Sequence, residues 1–258
     1  MKYTITIDES HLEELYHLTI KEDGRERPAI LLCGISYTDN DIWDGDAETR
    51  FLSKEVIPIP DTHIISHNTD RVTWDTELFR SALKKAKDED LRICLVHSHP
   101  SGFEKFSELD DKQERELFEI VQKRNGSLAP NLSLIITASR TLVARVCSGS
   151  LKYHPVDFIR VLGKRFSFHY KDKFSGRTKE EFHRQQLAFG PTLNADLSKL
   201  RVGVVGCGAT GSATAHLLAR LGVGQILLID NDYVERSNLS RLHGAVASDA
   251  DSGASKAM

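Results

Sequence analysis

No CxxC pair occurs in this sequence, and its four cysteines, Cys33, Cys94, Cys147 and Cys207, stand apart from one another. Three of them lie inside apolar, strand-like runs, so buried free thiols in a reducing compartment are expected rather than a disulfide or a thiolate metal site. No apolar run is long enough to span a bilayer; the nearest, Val202 to Ala215, is short and rich in glycine. The opening MKYTITIDES has neither the basic start nor the apolar centre of a secretory signal. Neither sign of charge dominates, since 34 Lys and Arg face 37 Asp and Glu for a formal net charge of -3. Binding to nucleic acid or to an anionic membrane therefore has no global electrostatic support. Internal repeats and low-complexity tracts are lacking too. The expectation is a soluble, cytoplasmic globular chain, whose 258 residues and 40% hydrophobic content suffice for one large domain or two ordinary ones.

Apolar spacing sets out the first two-thirds of the chain. Leu12, Leu15 and Leu18 recur near helical spacing behind Ser10 and predict a short helix. PAILLCGISY and TRFLSKEVIPI read as strands around the polar turn TDNDIWDGDAE, where Trp43, near Asp41 and Asp44, is one packed aromatic in an exposed turn. Leu78, Phe79, Ala82, Leu83 and Ala86 define a helix after Asp75, with Lys84, Lys85 and Lys87 on its solvated face. RICLVHSHP follows as a strand, a helix beginning near Ser107 presents Leu109, Leu117, Ile120 and Val121, and NLSLIITA and TLVARVC form a strand pair. The mixed order predicts an α/β layered domain over residues 1–160. His63 and His67, in DTHIISHNTD, have no carboxylate at a supporting spacing and read as a surface loop. From Lys164 the composition turns basic, aromatic and polar, so residues 161–199 read as a linker holding one helix.

The chemistry concentrates in VHSHPSGFEKFSELD. His97 and His99 are two apart at the end of an apolar strand; seven residues separate His99 from Ser107, and Asp110 follows three positions later. Alternate residues of a strand share a face, so both imidazoles can aim at one point. Two neutral nitrogens and a carboxylate suit zinc and leave a fourth tetrahedral position for water, the mark of a catalytic rather than a structural site. Each piece also has a plain structural reading. An HxH pair is often polar surface, and Ser107 with Asp110 has the form of a helix capping box.

Together, the order and spacing resemble the signature of JAMM/MPN zinc metalloproteases, HxHP followed at a fixed distance by SxxD. That resemblance covers roughly residues 10–150 and implies His97, His99 and Asp110 as zinc ligands. It also implies a glutamate just before a core strand, and ERPAILLCG supplies Glu26, with Glu22 as the neighbouring alternative and Ala29 where relatives usually carry glycine. In such enzymes the glutamate is general base toward the attacking water and then protonates the leaving amine. The serine, here Ser107, helps to stabilise the oxyanion. Amide hydrolysis needs both services beyond the metal.

Further on, LRVGVVGCGATGSATAHLLARLGVGQILLID runs strand, glycine turn, helix, strand, the first βαβ unit of a nucleotide-binding sheet. Gly206, Gly208 and Gly211 form GxGxxG in the context where that motif binds phosphate, and Asp230 stands where a ribose-binding carboxylate belongs. Taken alone, this would suggest NAD and an oxidoreductase. The continuation DNDYVERSNLSR, with Asp232, Asn238 and Arg241, instead resembles the adenylating domains of the ThiF/MoeB family and of ubiquitin-activating enzymes, and Lys256 matches the lysine that they place downstream. Leu242 stands where the family has glutamine. This resemblance implies ATP and Mg2+ as cofactors. Residues 200–258 make a small unit with exposed sheet edges, so a truncated, Rossmann-like, ThiF-type unit is expected.

The two resemblances together imply a peptidase or isopeptidase acting on a ubiquitin-like or sulfur-carrier protein with a C-terminal glycine, in a bacterial-type modification system. A conjugating enzyme is a further implied partner, and a homodimer is implied for a full-length form. Rival readings are an inactive MPN scaffold that presents a ubiquitin-like partner to the adenylating half, and an NAD oxidoreductase.

Overall fold

Residues 28–33 are apolar at every position but the first, and all six are buried, which fits a central strand covered on both faces. The computed structural model describes residues 1–257 except 68–71, 76, 127–129, 165 and 172–179, with the backbone alone at 67, 72, 191 and 192. Its contacts divide the chain into two units, Met1–Lys173 and Phe174–Met258.

In chain order the first unit comprises β1 (Lys2–Asp8), α1 (Glu9–Thr19), β2 (Pro28–Thr38), β3 (Glu48–Pro58), β4 (Ile64–His67), β5 (Val72–Trp74) and α2 (Glu77–Asp88). It continues with β6 (Arg92–His99), α3 (Glu108–Asn125), β7 (Asn131–Thr137), β8 (Leu142–Cys147), β9 (Tyr153–Pro155), β10 (Phe158–Leu162) and β11 (Ser167–Tyr170). Nine strands form one mixed sheet in the order β11-β10-β1-β3-β2-β6-β7-β8-β9, and β4 and β5 form a separate hairpin.

Period-two alternation sends successive residues to opposite faces. Ala29, Leu31, Cys33, Cys94 and Val96 join Leu12 and Leu15 of α1 in one core cluster. Ile30, Leu32, Ile93 and Leu95 meet Phe79, Ala82, Leu83 and Ala86 of α2 and Phe118 and Val121 of α3 in another. The sheet is thus a middle layer between one helix and two. Cys33, Cys94, Cys147 and Cys207 are all free and buried, as the apolar contexts predict.

Several elements exceed the sequence reading. β1 carries only Ile5 and Ile7 as buried apolar residues in KYTITID, a pattern too sparse to announce a strand, yet it lies parallel between β3 and β10. That pairing is supplied by residues remote in sequence, and β propensity follows such context. The boundary at 160 is also corrected, because β10 runs to Leu162 and β11 pairs with it antiparallel. The aromatics of this segment, far from marking a linker, stack: Phe158 lies 4.6 Å from Tyr170 and 5.7 Å from Phe168, centroid to centroid. Part of the segment, 172–179, lies outside the described residues, and two short helices rather than one follow it. On α3 the buried row is Asp110, Glu114, Phe118 and Val121, while Ile120 is exposed. The helix therefore turns a partly polar face to the sheet.

The second unit contains α4 (His183–Phe189), α5 (Pro191–Leu197), β12 (Arg201–Val205), α6 (Ala209–Leu221), β13 (Gln225–Ile229) and α7 (Ala247–Ser252). β12 and β13 pair in parallel with α6 between them in sequence, the expected βαβ unit. Among the described residues no helix is long and apolar enough to cross a membrane.

Candidate functional site

Strand β6 ends the alternation Ile93, Leu95, His97, His99 on the sheet face that α2 and α3 cover. Both imidazoles thereby arrive beneath α3, whose first turn carries Asp110. The three ligand groups converge, with all their nearest donor atoms within 4.8 Å of one another. His97 Nε2 lies 3.1 Å from His99 Nε2 and 3.4 Å from Asp110 Oδ1, and His99 Nε2 lies 3.8 Å from Asp110 Oδ2. Donors bound tetrahedrally to zinc at about 2.0–2.1 Å stand roughly 3.3–3.4 Å apart, and the separations of 3.1, 3.4 and 3.8 Å, the last two ending on different oxygens of Asp110, lie around that spacing. His97, His99 and Asp110 are all buried.

The protonation pattern agrees with that use. His99 Nδ1 is 2.7 Å from the Phe103 carbonyl, which can only accept, so Nδ1 carries a proton and Nε2 is the nitrogen turned to the centre. Burial pushes His97 down to about 4, a stronger effect than the opposing pull of Asp110, so this ring is neutral at physiological pH. Two imidazoles and a carboxylate closing on one point are a donor set that could hold a divalent cation.

Asp110 is held by Ser107. The Ser107 side chain accepts from Asp110 N at 3.1 Å, while Asp110 Oδ2 accepts from Ser107 N at 2.7 Å and from Ser107 Oγ at 2.8 Å. The capping box and the ligand set are therefore one arrangement: the cap engages Oδ2 and turns Oδ1 toward His97.

Glu26 arrives from the neighbouring strand. β2 and β6 are antiparallel with Pro28 opposite His97, so the residues just before β2 lie beside the end of β6. Ser98 N donates to Arg27 O at 3.1 Å and Arg27 N donates to Ser98 Oγ at 3.0 Å, which carries the pairing one step past the strand. Arg27 is itself clamped by Asp23 through two hydrogen bonds of 2.8 and 2.9 Å. Glu26 Oε1 thus stands 3.6 Å from His99 Nε2, and only 4% of the residue is exposed, whereas Glu22 lies on the surface. A cavity of about 50 Å³ runs along Glu26, His97 and Asp110 and is walled by Trp74, Leu95 and Leu117.

The sequence reading passed over Glu114. It sits one helical turn after Asp110, a spacing that puts both on one face, and that i, i+4 relation was the available signal. Glu114 Oε2 accepts from Ser133 Oγ at 2.5 Å and from Arg145 Nη2 at 2.7 Å. Arg145 also pairs with Asp111, and its guanidinium lies 3.8 Å from the centroids of both the Phe106 and Tyr153 rings. Burial drives the Glu114 carboxyl up to about 7 against the pull of Arg145 and Ser133. The other histidine loop departs from the sequence reading, because folding brings carboxylates to His63: its Nδ1 is 2.7 Å from Asp75 Oδ2, Asp75 Oδ1 accepts from Glu77 N at 3.0 Å, and the three residues are close enough to hold a cation. Glu77 is exposed, and the His67 side chain lies outside the described residues.

In the second unit, Gly206 adopts φ +85° and Gly208 caps α6. A Cβ on Gly211 would overlap the Gly206 carbonyl oxygen, so the third glycine is what lets the helix seat against its turn. Gly211→Ala is expected to destabilise this unit by about 1–3 kcal/mol, seen as an earlier transition in urea; an unchanged midpoint would show that the turn relaxes freely. Asp230 accepts from Cys207 N at 2.6 Å and from Asp232 N at 2.8 Å, fastening the glycine turn to the end of β13. Lys256 Nζ is 3.0 Å from Asp232 Oδ2, which brings together residues that the motif separates. Asn238 is buried and accepts from Glu235 N at 3.2 Å, and Arg241 donates to Ser237 O at 3.1 Å.

Comparison with known proteins gives the same division. Residues 182–258 match the ThiF family, and residues 8–147 match the prokaryotic homologs of the JAB domain. Similar proteins include the sulfur carrier protein ThiS adenylyltransferase of Bacillus subtilis, 44% identical over 62 residues, or 23% of this chain and 18% of that protein. The ubiquitin-activating enzyme E1 2 of Arabidopsis thaliana is 36% identical over 116 residues, 38% of this chain and 10% of its own length. The SAMP-activating enzyme E1 of Haloferax volcanii is 44% identical over 68 residues, 26% of this chain and 24% of its own length. The chain spans no more than about a quarter of the length of these relatives. The JAB match takes in more than half of the chain, which places this protein among the prokaryotic homologs of the JAB domain, here followed by a ThiF-family unit.

Proposed function

We propose that the first unit is a zinc-dependent peptidase or isopeptidase that cuts after the C-terminal glycine of a ubiquitin-like or sulfur-carrier protein. The observation that carries this reading is the convergence of His97, His99 and Asp110 with a buried Glu26 at their side. A zinc ion held there would polarise the scissile carbonyl and acidify water. Glu26 takes a proton from the attacking water and delivers it to the amine as the C–N bond breaks. Ser107 orients Asp110 by donating its hydroxyl to Oδ2, and turned from that acceptor toward the substrate the same hydroxyl would donate to the oxygen on which negative charge develops.

For the second unit we infer the nucleotide-binding part of an adenylating domain. ATP would meet the turn at Gly206, Gly208 and Gly211 and the side chains of Asp230, Asp232, Asn238, Arg241 and Lys256, with Mg2+ as its counter-ion. The named partners of the relatives, a sulfur carrier and ubiquitin, support one small glycine-ending protein as common client of both units. A conjugating enzyme, a homodimer and a cytoplasmic setting belong to the same proposal.

Metal analysis joined to a cleavage assay tests the peptidase reading. The purified protein is expected to hold one zinc ion per chain and to cleave ubiquitin-like fusions extended beyond the terminal glycine. Chelation should stop cleavage, and added zinc should restore it. A protein that binds no zinc at neutral pH would overturn the reading.

A further inference from the structure

Behind His97 lies a polar assembly that the proposed hydrolysis does not touch. Glu114 is 5% exposed and its two oxygens are used unequally. Oε2 receives three donors: Ser133 Oγ at 2.5 Å, Arg145 Nη2 at 2.7 Å and Arg145 Nε at 3.2 Å. Oε1 is buried and has no hydrogen-bond partner among the described residues. It faces His97 Nδ1 at 3.9 Å, about 1 Å beyond an ordinary N–H···O separation.

A counter-ion for Arg145 does not need this geometry. Arg145 already has Asp111 as well as Oε2, and a buried acceptor left unmade costs about 1–3 kcal/mol. A proton on His97 Nδ1 would satisfy that oxygen after a small side-chain rotation. The same proton would fix the tautomer whose Nε2 lone pair points at His99 and Asp110. Carboxylates that accept from the remote nitrogen of a ligating histidine are a recurring device of metal sites.

We propose that Glu114 is a positioning residue for His97: locked by Arg145 and Ser133, it accepts the Nδ1 proton and so aims Nε2 at the metal centre. This rests on the reading of His97, His99 and Asp110 as metal ligands. Phe106 and Tyr153 hold Arg145 between them, so the assembly extends from the ligand to the aromatic edge of the core as one packed column.

The substitution Glu114→Gln separates positioning from mere filling. All three donors address Oε2, so the amide oxygen must take that place, which leaves the amide NH₂ facing His97 Nδ1. An NH₂ group donates, so it selects the tautomer with the proton on Nε2, the wrong one for metal binding. The full chain, wild type and variant, is titrated with zinc against a chromophoric chelator at neutral pH, and the His97 tautomer is read by ¹⁵N NMR on the metal-free protein. The wild type is expected to show the proton on Nδ1, and the variant on Nε2 with about 10–100-fold weaker zinc binding at unchanged far-ultraviolet circular dichroism. Affinity within about twofold of wild type, or a wild-type proton on Nε2, overturns the proposal. If the variant fails to fold, the wild-type tautomer decides alone. A wild type with the proton on Nδ1 that binds no zinc would refute the metal reading and leave the Glu114–His97 bond standing.

Discussion

Glu26→Gln is expected to lower the rate of cleavage by about 10²–10⁴-fold, the range that general acid–base groups contribute, while zinc content and melting temperature stay at wild-type values. The amide has the volume of the carboxylate, so a residue only 4% exposed is replaced without a cavity or a clash. The bonds that hold His99 and Asp110 run to Phe103 and Ser107, and the carboxylate that faces His97 Nδ1 is Glu114, so the substitution leaves these three anchors in place. What the amide cannot do is take up a proton and release it. The check is kcat on a ubiquitin-like fusion, measured beside metal analysis of the same sample. A variant that keeps more than about a tenth of wild-type turnover would remove Glu26 from the proton path and return attention to water or to Ser107.

Arg145→Met should cost about 3–5 kcal/mol, the loss usual when one partner of a buried ion pair is removed. The Glu114 carboxylate would then be left with Ser133 as its single hydrogen-bond donor among the described residues, and the Phe106 and Tyr153 rings would lose the cation between them. The deficit has a defined pH dependence. Glu114 already titrates at about 7 in the folded protein because of burial, against an ordinary value of 4.5, and without Arg145 that folded value rises further. A carboxyl raised on folding contributes fully below its unfolded pKa and loses its contribution as pH climbs through the folded one. The variant therefore approaches wild-type stability in mild acid and falls behind progressively toward alkaline pH. Urea unfolding across that range measures it; a loss below about 1 kcal/mol at every pH would mean that the pair is worth no more than a surface salt bridge.

The strands and helices that position the site were legible because their signals are local. The unbroken apolar run from Ile93 to Val96 announced β6, and the serine with an aspartate three positions later marked the start of α3. That His97, His99 and Asp110 come together was legible from order and spacing. What escaped depends on contacts distant in sequence. β1 and β11 are strands because of neighbours over a hundred residues away or a turn of aromatics that stack only after folding. Glu114 and Arg145 are 31 residues apart, and nothing in either local stretch announces that they pair. Ile120, apolar and in helical register, nevertheless faces solvent because Asp110 and Glu114 claim the inner side of α3.

The reciprocal bonds between Arg27 and Ser98 have a consequence for how this centre fails. Glu26 and the two histidines sit on adjoining rungs of one ladder, interleaved residue by residue. Separating them means parting β2 from β6 at the middle of a nine-stranded sheet, an event that belongs to the whole fold rather than to a breathing loop. Warming this protein should therefore leave the relative placement of these groups intact until the sheet melts cooperatively, so that loss of catalysis and loss of structure fall on a single curve.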